Sequence, residues 1–113
     1  MTNQEWCLLV LKKFFPALVT DQTFVSPALA KITGEIWQDW QQIEPFAQSL
    51  PTTPQYGALP GPSWLGQVLG SAIWRKFTAD PYSVTPAVRA RIQTKYGDRV
   101  SSAVSTGKDI DQL

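Results

Sequence analysis

The chain of 113 residues contains no histidine and a single cysteine, Cys7. The first absence removes the base of Ser-His and Cys-His catalysis, and together the two remove nearly all zinc sites built on His and Cys ligands. One cysteine closes no internal disulfide, so the fold must stand without covalent staples, as it does in reducing compartments. Charge is sparse as well: Asp, Glu, Lys and Arg make up 17% of the residues, below the usual soluble fraction. No apolar run approaches the roughly 18 residues that span a bilayer. The longest uncharged stretch, Pro45 to Trp74, is broken by prolines and glycines. Trp6 to Leu11 is apolar, but Lys12 and Lys13 cut it short and no basic residue precedes it, which is unlike a secretory signal. These features predict a cytoplasmic protein with no transmembrane segment.

What the chain does have is apolar and aromatic mass. Hydrophobic residues are 43% of it, and five tryptophans, three tyrosines and five phenylalanines supply area for one buried core. Length and composition fit one domain. The net charge of +1 hides an asymmetry: residues 1–63 carry three basic and five acidic side chains, residues 64–113 seven basic and four acidic. The C-terminal half is therefore the better anion-binding half.

Helical signals recur along the chain. Thr2 followed by Glu5 is a capping-box pattern, and Trp6, Leu9, Val10, Lys13 and Phe14 follow with helical spacing. Leu8, Leu11 and Phe15 fill the other sides, so this first helix should be buried on most faces until Pro16 stops it. A buried strand over Trp6–Leu11 is the competing reading; the cap and the lack of alternation favour the helix. The clearest helix starts at Ser26-Pro27, an N-cap followed by proline at the first helical position. Leu29, Ile32, Ile36, Trp40 and Ile43 then fall within a stripe about 80° wide. Lys31, Glu35, Gln38, Gln41 and Gln42 lie opposite, Trp37 sits at the edge of the stripe, and Pro45 ends the helix.

Residues 45–63 contain Pro45, Pro51, Pro54, Pro60 and Pro62 with Gly57 and Gly61, and show neither helical nor strand periodicity. Such a long loop inside a compact domain is usually functional or a linker. Phe46, Leu50, Tyr56 and Leu59 predict a strap packed over the core. A third helix is predicted from Ser63, with Trp64, Leu65, Val68, Leu69, Ala72, Ile73 and Phe77 on a broad apolar face. Gly66 and Gly70 on it suggest close approach by another element. After a turn at Asp80-Pro81-Tyr82, Thr85-Pro86 starts a last helix with Ile92, Tyr96, Val100, Ala103 and Val104 on one side. Gly97 is a point where it could split, with Asp98 capping the second piece. The expected architecture is an all-α bundle of four to five short helices with a long Pro-rich strap: one domain over residues 1–104 and a frayed polar tail over 105–113.

No constellation nominates a catalyst. Glu35 and Asp39, four apart on a polar helical face, read as solvated surface charge. Cys7, between Trp6 and Leu8, reads as a small buried hydrophobe, because a reactive thiol needs a cationic or helix-N-terminal setting. Ser101, Ser102 and Ser105 have no histidine to activate them. Gly66 and Gly70 lack the Lys-Ser/Thr ending of a phosphate-cradling loop. No metal ligand set and no cofactor motif is present, so none is expected.

Elimination leaves a non-catalytic adaptor or accessory protein that binds a larger protein partner, with homo-oligomerisation also open. The predicted docking surface is Trp37, Tyr56, Leu59 and Trp74, since large aromatic side chains anchor interfaces; the same tryptophans could instead be core. The first alternative is nucleic-acid binding through Arg89, Arg91, Lys95 and Arg99, three of them spaced i, i+4, i+8, a stripe that suits phosphates or an acidic partner surface. The second is membrane-surface attachment through Trp64, Trp74 and Phe77 beside Arg75 and Lys76.

Overall fold

A computed structural model describes residues 2–43, 62–79 and 83–112, apart from the side chains of residues 3, 62–64 and 106–112. Among the described residues there are five helices and no strand, the all-α architecture expected: α1 (Asn3–Phe14), α2 (Pro27–Ile43), α3 (Pro62–Leu69), α4 (Ala72–Ala79) and α5 (Pro86–Gln112). The strap, including Tyr56 and Leu59, and the turn at 80–82 lie outside the described residues.

Each long helix begins where its cap was read. At α1 the Thr2 hydroxyl accepts from the Glu5 N–H and the Glu5 carboxylate accepts from the Thr2 N–H, both at 3.1 Å, which closes the capping box. The Ser26 hydroxyl accepts from Leu29 N–H at 3.1 Å to start α2. The Thr85 hydroxyl does the same for Val88 N–H at 3.3 Å to start α5. Both caps precede a proline whose missing N–H would have had no partner in a first turn anyway.

Two helix boundaries differ from the sequence reading. The predicted third helix is two helices, broken at Gly70-Ser71. The Ser71 hydroxyl donates to Val68 O at 2.6 Å and accepts from Trp74 N–H at 3.1 Å, so it closes α3 and caps α4 at once. Apolar residues flank the break on both sides, which is why periodicity ran straight across it. Among the described residues nothing approaches Gly66 closely, since a Cβ there would meet no described atom within 4 Å. In contrast, α5 runs through Gly97 without interruption and continues to Gln112, past the predicted end at residue 104. Gly97 faces Phe15, whose Cε1 would lie 4.0 Å from an added Cβ, so the glycine packs against the turn that follows α1.

The core gathers on α1, α2 and the inner faces of α4 and α5. Trp6, Cys7, Val10, Leu11 and Phe14 on α1 are fully enclosed, as are Leu29, Ile36, Trp37 and Trp40 on α2. Trp37 is the hub. Its ring centroid lies 5.5 Å from Trp6, 5.0 Å from Trp40, 6.2 Å from Trp74 and 5.3 Å from Phe77, with tilted or edge-on geometry. Such arrangements suit the aromatic quadrupole and add to the stabilisation from burial. The Trp40 indole also donates to Ser83 O, and the Ser83 hydroxyl to Phe77 O, which ties the entry of α5 to α2 and α4.

Side chains of α5 complete the end of α1. Arg89 Nε donates to Lys13 O at 3.0 Å and Gln93 Nε2 to Phe14 O at 2.8 Å. Carbonyls in a last helical turn have no partner within the helix, so these two donors satisfy groups that would otherwise need water. The most extensive helix–helix packing is between α2 and α5.

Candidate functional site

The α2–α5 seam carries the charged residues that the sequence reading had divided between two surfaces. Arg99 Nη2 lies 2.6 Å from Glu35 Oε2, and Lys95 Nζ lies 2.8 Å from Asp39 Oδ2. The α2 number rises by four as the α5 number falls by four, so the helices are antiparallel with a rung at each turn. Tyr96, only 3% exposed, donates its hydroxyl to the same Asp39 oxygen. The Lys95 and Arg99 cations lie 5.3 and 5.7 Å from the Tyr96 ring centroid, within cation–π range. Hydrogen bonding to Glu35 raises the Arg99 pKa above its already high ordinary value, so the guanidinium stays charged.

Glu35 and Asp39 were expected to be solvated. Their side chains are 17% and 18% exposed and are engaged by α5, whereas Lys95 and Arg99 are 61% and 46% exposed. The acids are thus inside the seam and the bases lean over it from outside, where flexible stems let the charged heads reach water.

Beyond the Asp39–Lys95 rung the seam opens into a groove of about 480 Å³, lined by Asp39, Gln42, Ile43, Arg91, Ile92 and Lys95. Half-buried Ile43 supplies its apolar surface, Ile92, 1% exposed, lies in the floor, and the other four form a polar rim that makes up most of the lining. Arg91 is exposed and makes no ion pair or side-chain hydrogen bond with the described residues.

The residues singled out in the sequence separate as follows. Trp37 has no exposed surface and Trp74 is 6% exposed, so neither is presented as a docking side chain; both are enclosed in the ring cluster, which corrects that assignment. A tryptophan at the edge of a helical stripe is drawn inward when other helices, here α1 and α4, converge on it, and single-helix geometry does not contain that convergence. Tyr56 and Leu59, their expected partners, lie outside the described residues. Of the basic set, Lys95 and Arg99 belong to rungs, Arg89 is bonded to the α1 terminus, and Arg91 lines the groove with Lys95 but forms no ion pair among the described residues. Of the membrane set, Phe77 is fully buried and Trp74 nearly so, while Arg75 and Lys76 beside them are exposed. The side chain of Trp64 is outside the description. No helix among the described residues is long and apolar enough to cross a membrane.

Cys7 is enclosed against α2. Desolvation pushes its thiol up to about 11, against a weaker opposing pull from the neighbouring Thr33 hydroxyl. A thiol so raised is protonated at neutral pH and a poor nucleophile. Among the described residues no cluster of His, Cys, Asp or Glu could hold a metal ion.

The groove itself was missed in the sequence reading. Its signal was present as the shared four-residue spacing of Glu35, Asp39 and Ile43 on one helix and of Arg91, Lys95 and Arg99 on the other. Comparison of the chain with protein-family models, with curated proteins and with solved structures finds no match.

Proposed function

We propose that this protein is a non-catalytic helical module that docks on a larger protein, and that the α2–α5 groove is the contact. The observation that carries the reading is the groove's construction: half-buried Ile43 within a rim of Asp39, Gln42, Arg91 and Lys95, floored by the buried Ile92, on the flank of the most extensively packed helix pair. A concave, mainly polar surface with one apolar contact on a rigid support suits a non-obligate protein contact, which is about as polar as the rest of a protein surface. The groups that chemistry would draw on support the same reading, because Cys7 is enclosed and Glu35 and Asp39 are held in rungs. The reading also keeps the protein in the cytoplasm, on the strength of the single cysteine.

The test is capture of a tagged protein from its native lysate with nuclease-treated and high-salt arms, in parallel with Gln42→Trp, which crowds the groove mouth. A stoichiometric protein that survives nuclease and is lost with Gln42→Trp is the expected result. Recovery that vanishes with nuclease would replace this reading with nucleic-acid binding by the basic face of α5. Equal recovery by wild type and Gln42→Trp would remove the groove from the interaction.

A further inference from the structure

The two rungs of the α2–α5 ladder define where the third falls. Glu35 meets Arg99 and Asp39 meets Lys95. One further turn along the antiparallel pair sets residue 43 opposite residue 91. That rung has its base, Arg91, but its α2 position is Ile43, and both residues line the groove. Each of the other two cations facing α2 has a carboxylate; Arg91 has none among the described residues.

We propose that an acidic peptide segment of the docking partner supplies the third carboxylate, seated in the groove against Arg91. This rests on the docking reading above. A guanidinium presents paired N–H donors in a fork that matches a carboxylate, so Arg91 suits bidentate recognition better than a lysine would. The Gln42 amide is on the same rim, and half-buried Ile43 gives an apolar contact for the aliphatic part of a glutamate.

The charges around the groove choose among anions. Lys95 lies beside Arg91, but Asp39 lines the same groove. One carboxylate placed at Arg91 completes the alternation of sign along the seam. A nucleic-acid strand carries a charge about every 3.4 Å along its axis, so it would bring further phosphates against Asp39 and Glu35. Sparse acidic charge on a peptide fits where a polyanion does not.

The experiment is a titration of 15N-labelled protein, following the Arg91 Nε–H resonance, with the blocked peptide Ac-Leu-Glu-Ile-Glu-Leu-amide and its Gln-for-Glu counterpart. The Glu peptide is expected to move that resonance and to bind at least tenfold more tightly than the Gln peptide. Arg91→Gln should lose binding by a similar factor while keeping the wild-type thermal midpoint. Ile43→Glu places the acid in the chain itself, and should abolish peptide binding and raise the urea midpoint. The proposal is overturned if the Gln peptide binds equally well, if Arg91→Gln binds as wild type does, or if a single-stranded oligonucleotide displaces the Glu peptide. It is also overturned if Glu44→Gln, with no peptide present, moves the Arg91 resonance, because the acid would then come from this chain. A captured partner lost with Gln42→Trp but retained with Arg91→Gln would leave the docking reading standing and remove the carboxylate. A partner retained by both would remove both.

Discussion

Tyr96 on α5 donates its hydroxyl to the carboxylate of Asp39 on α2, 57 residues earlier in the chain. The phenol is nearly enclosed and the carboxylate also holds Lys95, so one acid joins a buried donor to a solvent-facing one. Removing the hydroxyl with Tyr96→Phe keeps the ring, its packing and its contacts with the two cations. A hydrogen bond to a charged group contributes about 1.5–3 kcal/mol, and Asp39 retains Lys95, so the loss should fall near the lower end. Urea unfolding is expected to show a lower midpoint with an unchanged slope, the signature of lost stability without a change in compactness.

Trp37→Ala is the most damaging single change expected. A buried tryptophan cut to alanine costs about 3–5 kcal/mol, a large part of the roughly 5–15 kcal/mol that holds a domain together. Four aromatic rings would lose their common neighbour. Thermal melting followed by far-ultraviolet circular dichroism should show a large drop in midpoint or loss of a cooperative transition. Trp37→Phe should recover part of it.

Cys7 gives a chemical and a pH test. Its thiol should resist Ellman's reagent in the native state and react at once in guanidinium. In the folded state the pKa is raised to about 11, above the ordinary thiol value of 9.0. The native state therefore holds the proton through a range in which the unfolded chain releases it. The resulting stabilisation is fully present below pH 9 and is lost as the pH rises toward 11, about 2–3 kcal/mol in all. Tyrosines and lysines titrate in the same window, so the quantity to measure is the difference in pH dependence between wild type and Cys7→Ala.

At the other end of the pH scale stands the α1 cap. Hydrogen bonding to Thr2 holds the Glu5 carboxyl below its ordinary value of 4.5. Its contribution is present above that value and fades as the pH falls through the lowered one. Thr2→Ala should cost about 1 kcal/mol, measured as a urea midpoint at pH 7. In Glu5→Gln the acid-side decline in stability should be shallower than in wild type.

Local signals were read well where the chain settles them locally. Thr2 with Glu5, Ser26 with Pro27, and Thr85 with Pro86 each mark a helix start, because the capping groups lie within three residues of each other. The break at Ser71 was not legible: a serine between apolar turns carries no strong stop signal, and its two hydrogen bonds appear only once the chain has turned. The charged residues show a different limit. Glu35 and Asp39 looked like surface acids, and Lys95 and Arg99 looked like an anion-binding stripe, because each set was judged with one helix in hand. They are each other's counterions, and only the antiparallel register of α2 and α5 says so. Trp37 and Trp74 were weighed as docking residues for the same reason, since a periodic stripe tells which side is apolar and not how many neighbours will close over it.

The gathering of indoles around Trp37 also makes the protein its own optical gauge. Trp6 belongs to α1, Trp37 and Trp40 to α2, and Trp74 to α4, and the Trp37 ring centroid lies 5.5, 5.0 and 6.2 Å from those of Trp6, Trp40 and Trp74. Excitation energy passes readily between rings so close, and near-ultraviolet dichroism is sensitive to how they are mutually tilted. Detachment of α1 or α4 alone would rearrange the same coupled chromophore, so an intrinsic spectroscopic signal, with no attached dye, reports whether these helices part together or in sequence.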